Sequence, residues 1–330
     1  MQLMLSHRET LSAVPVPDSF LGGSATSLQF FSLSGIPFPG LPKLLWSATQ
    51  LGFLWLTNIP HSGYISPEGI VALLSVLSSL EELSLEFQSP QSRPDSGTRD
   101  LLPPERSILP ALNKIRFKGV TEYLEGLVTH IDTPQLHEIH ISFFNQIDFV
   151  CPRLAQFINC TPTLRALDEA RVQFDDNTAV VKIRYRASES GRDALQIAIS
   201  CGEPDWQLSS TEQFCNSSLH PISTVEDLYI EHRYSGLVWK NGAIENTLWL
   251  ELLLPFTAVK NLYLSEEFVS VIAAALKELV GGRITEVLPS LQNIFVEGSL
   301  GPFHENIGRF VDVRRLSDQP ITISVWSKYG

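Results

Sequence analysis

Positive charge is scarce in this sequence: 24 Lys and Arg stand against 36 Asp and Glu, for a net charge of −12 and a pI near 5.1. A surface of that sign repels a phosphate backbone, so nucleic acid is not an expected partner. Cysteine is scarce as well. Cys151, Cys160, Cys201 and Cys215 form no Cys-x-x-Cys pair, and four thiols in a chain this long do not make a disulfide scaffold. They read as buried, reduced thiols. Long apolar runs are missing: Leu248 to Phe256 and Phe268 to Leu276 are too short to cross a bilayer, and the first contains Glu251. Met1 to Glu9 holds no apolar stretch of the length a secretory leader needs. No membrane is expected, and the place of action reads as cytoplasm, nucleus or both, where the sequons at Asn159 and Asn216 stay unmodified.

The signatures of chemistry are equally thin. There is no Gly-rich phosphate loop, nucleophile elbow or His-Glu-x-x-His helix. In His137-Glu-Ile-His140 the two histidines fall on opposite sides of a strand, which denies them a shared metal. Glu81/Glu82, Asp175/Asp176 and Glu266/Glu267 read as solvated charge. The chain therefore reads as no enzyme, with no catalytic residue, cofactor or metal.

What the sequence does have is a recurring pattern typified by Leu80-Glu-Glu-Leu83-Ser-Leu85. It returns at Leu28/Phe31/Leu33, Leu51/Leu54/Leu56, Leu112/Ile115/Phe117, Leu136/Ile139/Ile141, Leu167/Ala170/Val172, Val225/Leu228/Ile230, Val259/Leu262/Leu264 and Leu291/Ile294/Val296. Successive starts are 23, 29, 32, 24, 31, 58, 34 and 32 residues apart, so only one interval breaks the period. This is the mark of leucine-rich repeats. The last two apolar positions of each copy lie two residues apart, hence on one side of a short strand. A lone strand cannot bury that side, but stacked neighbours can. The expected fold is α/β, a leucine-rich-repeat solenoid with a curved parallel sheet and helices or loops on its convex side.

Residues 1–27 read as a loose lead-in or unpaired cap strand, and 28–326 as a single solenoid with an insertion at about 175–220. Leu41 to Ala48 is a short helix candidate. Ser66-Pro-Glu68 is a helix start, with a capping hydroxyl, proline at the first helical position and a carboxylate in the first turn. Ile70, Leu73, Leu74 and Leu77 then mark one helical face. Further returning helices are predicted at Thr121 to Ile131, Pro152 to Cys160, Asn246 to Leu254 and Glu266 to Val280. Gln88 to Pro104, rich in Ser, Pro, Arg and Asp, reads as an exposed loop. The 58-residue interval holds two strand candidates, Ala179 to Tyr185 and Leu195 to Ser200, expected to form a β-hairpin turning at Ser188 to Gly191, with a short helix around Ser210 to Asn216. Ile321 to Trp326 is a closing strand that covers the last edge.

The outward strand positions form rows: Phe53 and Trp55; Glu82, Ser84 and Glu86; Lys114, Arg116 and Lys118; Glu138, His140 and Ser142; Asp227, Tyr229 and Glu231; Asn261 and Tyr263; Asn293, Phe295 and Glu297. Trp55, Tyr229, Tyr263 and Phe295 share one register. Large aromatics on an open sheet face are what binding surfaces use. The expected partner-binding residues are Trp55, Glu82, Arg116, His140, Tyr229, Tyr263 and Phe295, with Tyr229, Tyr263 and Phe295 contiguous and their partner a protein.

From Leu109 onward the chain resembles the leucine-rich region of the F-box and F-box-like proteins of mushroom-forming fungi. The resemblance rests on Leu136-His-Glu-Ile-His-Ile141, Thr161-Pro-Thr-Leu-Arg-Ala-Leu-Asp-Glu-Ala-Arg-Val-Gln-Phe174, Pro255-Phe-Thr-Ala-Val-Lys-Asn-Leu-Tyr-Leu264, Leu288-Pro-Ser-Leu-Gln-Asn-Ile294 and Phe310-Val-Asp-Val-Arg-Arg-Leu-Ser-Asp-Gln-Pro-Ile-Thr-Ile323. It implies a substrate receptor of a ubiquitin ligase, in which an N-terminal F-box docks a Skp-type adaptor and the repeats hold the target. The 27 residues before the first repeat lack the length and helical period of an F-box, so adaptor binding is expected only if an F-box lies upstream.

Overall fold

The computed structural model describes residues 2–6, 24–37, 43–92, 106–146, 149–186, 193–217, 219–233, 246–279, 285–298 and 303–327. They form two compact units, residues 1–146 with 151–163, and residues 147–150 with 164–330. Both are leucine-rich-repeat architecture: a strand, a turn, a returning helix or 3-10 turn, and a tight turn into the next strand.

The first unit contains β1 (Gln2–Ser6), β2 (Phe30–Ser34), a 3-10 turn (Lys43–Ser47), β3 (Phe53–Ile59), α1 (Pro67–Leu74), β4 (Glu82–Phe87), β5 (Ser107–Ile108), β6 (Lys114–Gly119), α2 (Thr121–Thr129), β7 (Ile131–Asp132), β8 (Glu138–Phe143) and α3 (Pro152–Cys160). The order β1-β2-β3-β4-β6-β8 is parallel throughout. The registers join Leu54 to Leu83, Leu83 to Ile115 and Ile115 to Ile139. The repeat pattern thus becomes straight lines of apolar side chains running across the sheet, all buried. The lead-in differs from expectation: Gln2–Ser6 pair in parallel with β2, because a free strand edge offers backbone donors and acceptors to any extended segment nearby. At α1 the Ser66 hydroxyl accepts from the Gly69 N–H at 3.2 Å, with Pro67 at the first helical position. Of the helix expected at 41–48, the described residues 43–48 make only the 3-10 turn. Behind the sheet Tyr123 is fully buried, its hydroxyl donating to the Ile65 carbonyl at 2.9 Å, and its ring lies 4.7 Å from that of Phe87.

The second unit contains β9 (Glu169–Phe174), β10 (Thr178–Arg184), β11 (Leu195–Ser200), α4 (Pro204–Cys215), α5 (His220–Thr224), β12 (Asp227–His232), α6 (Asn246–Leu253), β13 (Asn261–Leu264), α7 (Glu266–Lys277), β14 (Asn293–Glu297), α8 (Phe303–Leu316) and β15 (Thr322–Trp326). Its sheet order is β11-β10-β9-β12-β13-β14-β15. β10 runs antiparallel to both β9 and β11, and the other pairs are parallel. The long interval is therefore a meander in the plane of the sheet. Asp175 makes the first turn possible, its carboxylate accepting from the Asn177 N–H at 2.9 Å. The expected turn at 188–191 and most of the 88–104 loop lie outside the described residues. The helix near Ser210 is longer than its sequence suggested, starting at Pro204 because proline suits a first helical position. Behind this sheet Trp249 and Phe174 pack with Phe268, their rings 5.5 Å from its centroid in each case.

One thiol departs from expectation. Cys151, Cys201 and Cys215 are buried but Cys160, the last residue of α3, is exposed. Burial pushes the Cys215 thiol well up, away from reactivity.

Candidate binding face

Strands of a repeat alternate sides, so each unit turns one set of residues to its core and the other to its outer sheet face. In the first unit the central outward row reads Ser32, Trp55, Ser84, Arg116, His140 in register. The neighbouring row holds Phe30, Phe53, Glu82, Lys114 and Glu138. This face is ionic at its centre. Lys114 pairs with Glu138, Arg116 lies 3.6 Å from Glu82, and His140 lies 3.3 Å from Glu138. Burial alone would raise the Glu138 carboxyl, but the Lys114 ammonium, aided by His140 and Arg116, outweighs it and holds the group below its usual value. Trp55 is half-buried with Phe30 edge-on at 4.9 Å. Ser84 and Glu138, expected to face solvent, are buried: pointing outward places a side chain on the face but does not keep its neighbours from closing over it.

The second unit is built differently. Its first outward row is a polar ladder. The Asn261 amide donates to Asp227 at 2.7 Å, the Asn293 amide donates to Asn261 at 2.8 Å, and the Thr322 hydroxyl donates to Asn293. Beside it runs an aromatic ladder in register across four strands, Arg171, Tyr229, Tyr263 and Phe295. The Tyr229 and Tyr263 rings stack at 4.2 Å and 8°, and the Tyr263 and Phe295 rings at 4.5 Å and 10°. These separations sit close to the strand spacing of about 4.8 Å, so the sheet itself sets the stack. The Arg171 guanidinium lies 4.1 Å over the Tyr229 ring. It is held by Glu169 at 2.7 Å and Glu231 at 3.0 Å, which keep its charge despite burial. Trp326 stands edge-on to Tyr263 at 5.4 Å and to Tyr229 at 5.8 Å, its indole N–H donating to the Leu264 carbonyl at 3.3 Å. Tyr229, Tyr263 and Phe295 all remain partly exposed.

Asp227 and Glu231, which the sequence places at outward positions, are 2% and 0% exposed. Each has its partners: Asp227 pairs with Arg186, and Glu231 with Arg171 and with the Gln173 amide at 2.9 Å. Burial of Tyr229, with Glu169 and Tyr263 beside it, outweighs Arg171 and pushes its phenol up to about 12. The structure thus brings Tyr229, Tyr263 and Phe295 together, and separately aligns Trp55, Arg116 and His140 with Glu82 one row over. Sequence reading missed Arg171 and Trp326. Arg171 sits between Ala170 and Val172 as Tyr229 sits between Leu228 and Ile230, so carrying the outward rows through the sixth copy finds it.

Among the described residues no three His, Cys, Asp or Glu side chains are placed to hold a metal, and no helix is long and apolar enough to cross a membrane. A cavity of about 280 Å3 lies by the C-terminal ends of α2 and α3. Its arginines serve the helix end: Arg106 donates to the Thr129 carbonyl at 3.2 Å and Arg153 to the Thr129 hydroxyl at 3.3 Å.

No protein-family model matches the chain, and no curated protein does. Among solved structures it is similar to the leucine-rich repeat-containing protein LegL7 from Legionella pneumophila, with 12% identity and a TM-score of 0.35 over 100% of this chain and 92% of that one.

Proposed function

We propose that this chain is a non-enzymatic protein-binding module whose outer sheet faces receive a protein partner. The observation that supports it is the aromatic ladder of the second unit. Three stacked rings are left partly exposed on a rigid sheet, pinned by a polar ladder on one side and by Arg171 and Trp326 around them. Rigid aromatic side chains lose little conformational entropy on docking, which is why they anchor interfaces. Trp55, Glu82, Arg116 and His140 supply a second, more polar face for the same purpose.

The resemblance to fungal F-box proteins extends the proposal. The partner is then a ubiquitin ligase target, the chain is the receptor's recognition part, and its work is done in the cytoplasm or nucleus. A repeat scaffold with no link to ubiquitin is the alternative. Residues 1–330 alone are expected not to retain a Skp-type adaptor, since no F-box pattern occurs in them. The two are separated by affinity purification with and without any upstream reading frame: stoichiometric adaptor only with the longer product supports the receptor, and none with either supports the scaffold. The binding reading itself is tested by comparing proteins retained by the wild-type chain and by the Tyr229→Ala/Tyr263→Ala variant. Identical retention would end it.

A further inference from the structure

Among the described residues the aromatic ladder is closed at one end and open at the other. At the β9 end the chain's own Arg171 guanidinium covers the outer face of Tyr229 at 4.1 Å. At the β14 end, the next place in the stack belongs to β15, where the residue in register with Phe295 is Ser324. Ser324 is exposed and carries a single oxygen beyond its Cβ, far too little to cover a phenyl ring. Among the described residues Phe295 stacks on Tyr263 alone, and no second ring or guanidinium meets it. Trp326, two residues along β15 and on the same face, leans back over the tyrosines and flanks this slot instead of filling it. Glu297, in register with Trp326, stands in the adjacent row.

We infer that this slot takes an arginine of the protein partner, its guanidinium stacked on Phe295 above Ser324 as Arg171 stacks on Tyr229. The inference rests on the reading of this face as a docking surface, and it names the side chain the surface recognises. Three observations favour a planar cation. A slot one strand spacing wide beside a phenyl face admits a flat group lying parallel to the ring. The face of an aromatic ring attracts cations, and the planar, weakly hydrated guanidinium gives up less water to stack there than a compact ammonium does. The chain carries a net charge of −12, so a cationic partner is complementary in sign.

The test is calorimetric titration of the full chain with hexapeptides that alternate glycine with arginine, lysine or tyrosine. Arginine and lysine peptides carry equal charge, so general attraction to an acidic protein cancels in their ratio. The arginine peptide is expected to bind about five-fold tighter than the lysine peptide. That ratio should fall to near one in Phe295→Leu, which removes the ring face, and in Ser324→Phe, which fills the slot from within. Circular dichroism melts of both variants establish that they fold. Equal binding of the two cationic peptides, tighter binding of the tyrosine peptide, no binding of the arginine peptide, or a preference that survives both variants would each overturn the inference. If the preference fails while Tyr229→Ala/Tyr263→Ala still releases retained proteins, the docking surface stands without its arginine. If that variant releases nothing, the docking surface itself is wrong.

Discussion

The two units use the same repeat to build outer faces of contrasting chemistry. In the first, the middle strands present Lys114, Arg116, Glu82, Glu138 and His140, held by ion pairs across the sheet. In the second, the strands present stacked rings, and the carboxylates among them are buried and paired with Arg171 and Arg186. The Arg116–Glu82 pair, long and half-open to water, contributes little and is screened by salt, whereas a partly exposed aromatic row offers both area and rigidity. The core side of both units is alike, so the difference between them is free of the fold. It lies in the residues between the apolar ones.

The comparison breaks first if core and outer positions are not distinct. Leu83, fully buried in β4, should not tolerate charge: Leu83→Asp places an unpaired carboxylate in the apolar stack and is expected to cost several kcal/mol, comparable with a domain's whole stability. Thermal denaturation should show the first unit unfolded at temperatures where the wild type is folded. Next in size is the functional contrast. Tyr229→Ala/Tyr263→Ala should leave the melting temperature within a few degrees yet weaken partner binding by roughly 2 kcal/mol, as anchor residues do.

The faces should also fail at opposite ends of the pH scale. The Tyr229 phenol, raised from the usual 10 to about 12, holds its proton more tightly folded than unfolded. Its contribution is therefore whole below pH 10 and lost as pH climbs toward 12, on the order of 1 kcal/mol once its partial exposure is allowed for. Glu138, held below its ordinary value, contributes above that value and loses its contribution as pH falls through the depressed one. Urea melts across pH should show Tyr229→Phe flattening only the alkaline limb and Glu138→Gln only the acid limb. The smallest effect belongs to Glu82→Ala, which removes a loose 3.6 Å pair with the solvent-exposed Arg116 and should shift stability by no more than about 0.5 kcal/mol.

The period-two alternation around residues such as Leu83 and Ile230 made the core legible, since nothing else in the chain could satisfy both the strand and its neighbours. It also placed Tyr229, Tyr263 and Phe295 on one line, because identical repeats in parallel strands keep register. What the pattern did not contain was the depth of cover. Glu231 and Asp227 sit at outward positions and are buried, since Arg171 and Arg186 reach across strands to pair with them. Long flexible side chains decide such matters, and no periodicity encodes their reach. Trp326 was legible as the end of a strand but not as a flank of the tyrosines, since a side chain that crosses two strands is set by packing. The lead-in strand β1 escaped because Gln2–Ser6 belongs to no repeat.

The aromatic ladder of the second unit should be open in the free protein and covered by a partner in the complex. Hydroxyl-radical footprinting read by mass spectrometry tests both halves at once, on the free chain and on its complex with a protein that it retains. Tyr229, Tyr263 and Phe295 should oxidise faster than the buried Phe174 and Phe268 and slower than the exposed Trp206, and should become protected on binding. Oxidation of all three at the rate of the core rings in the free chain, or unchanged rates in the complex, would contradict it.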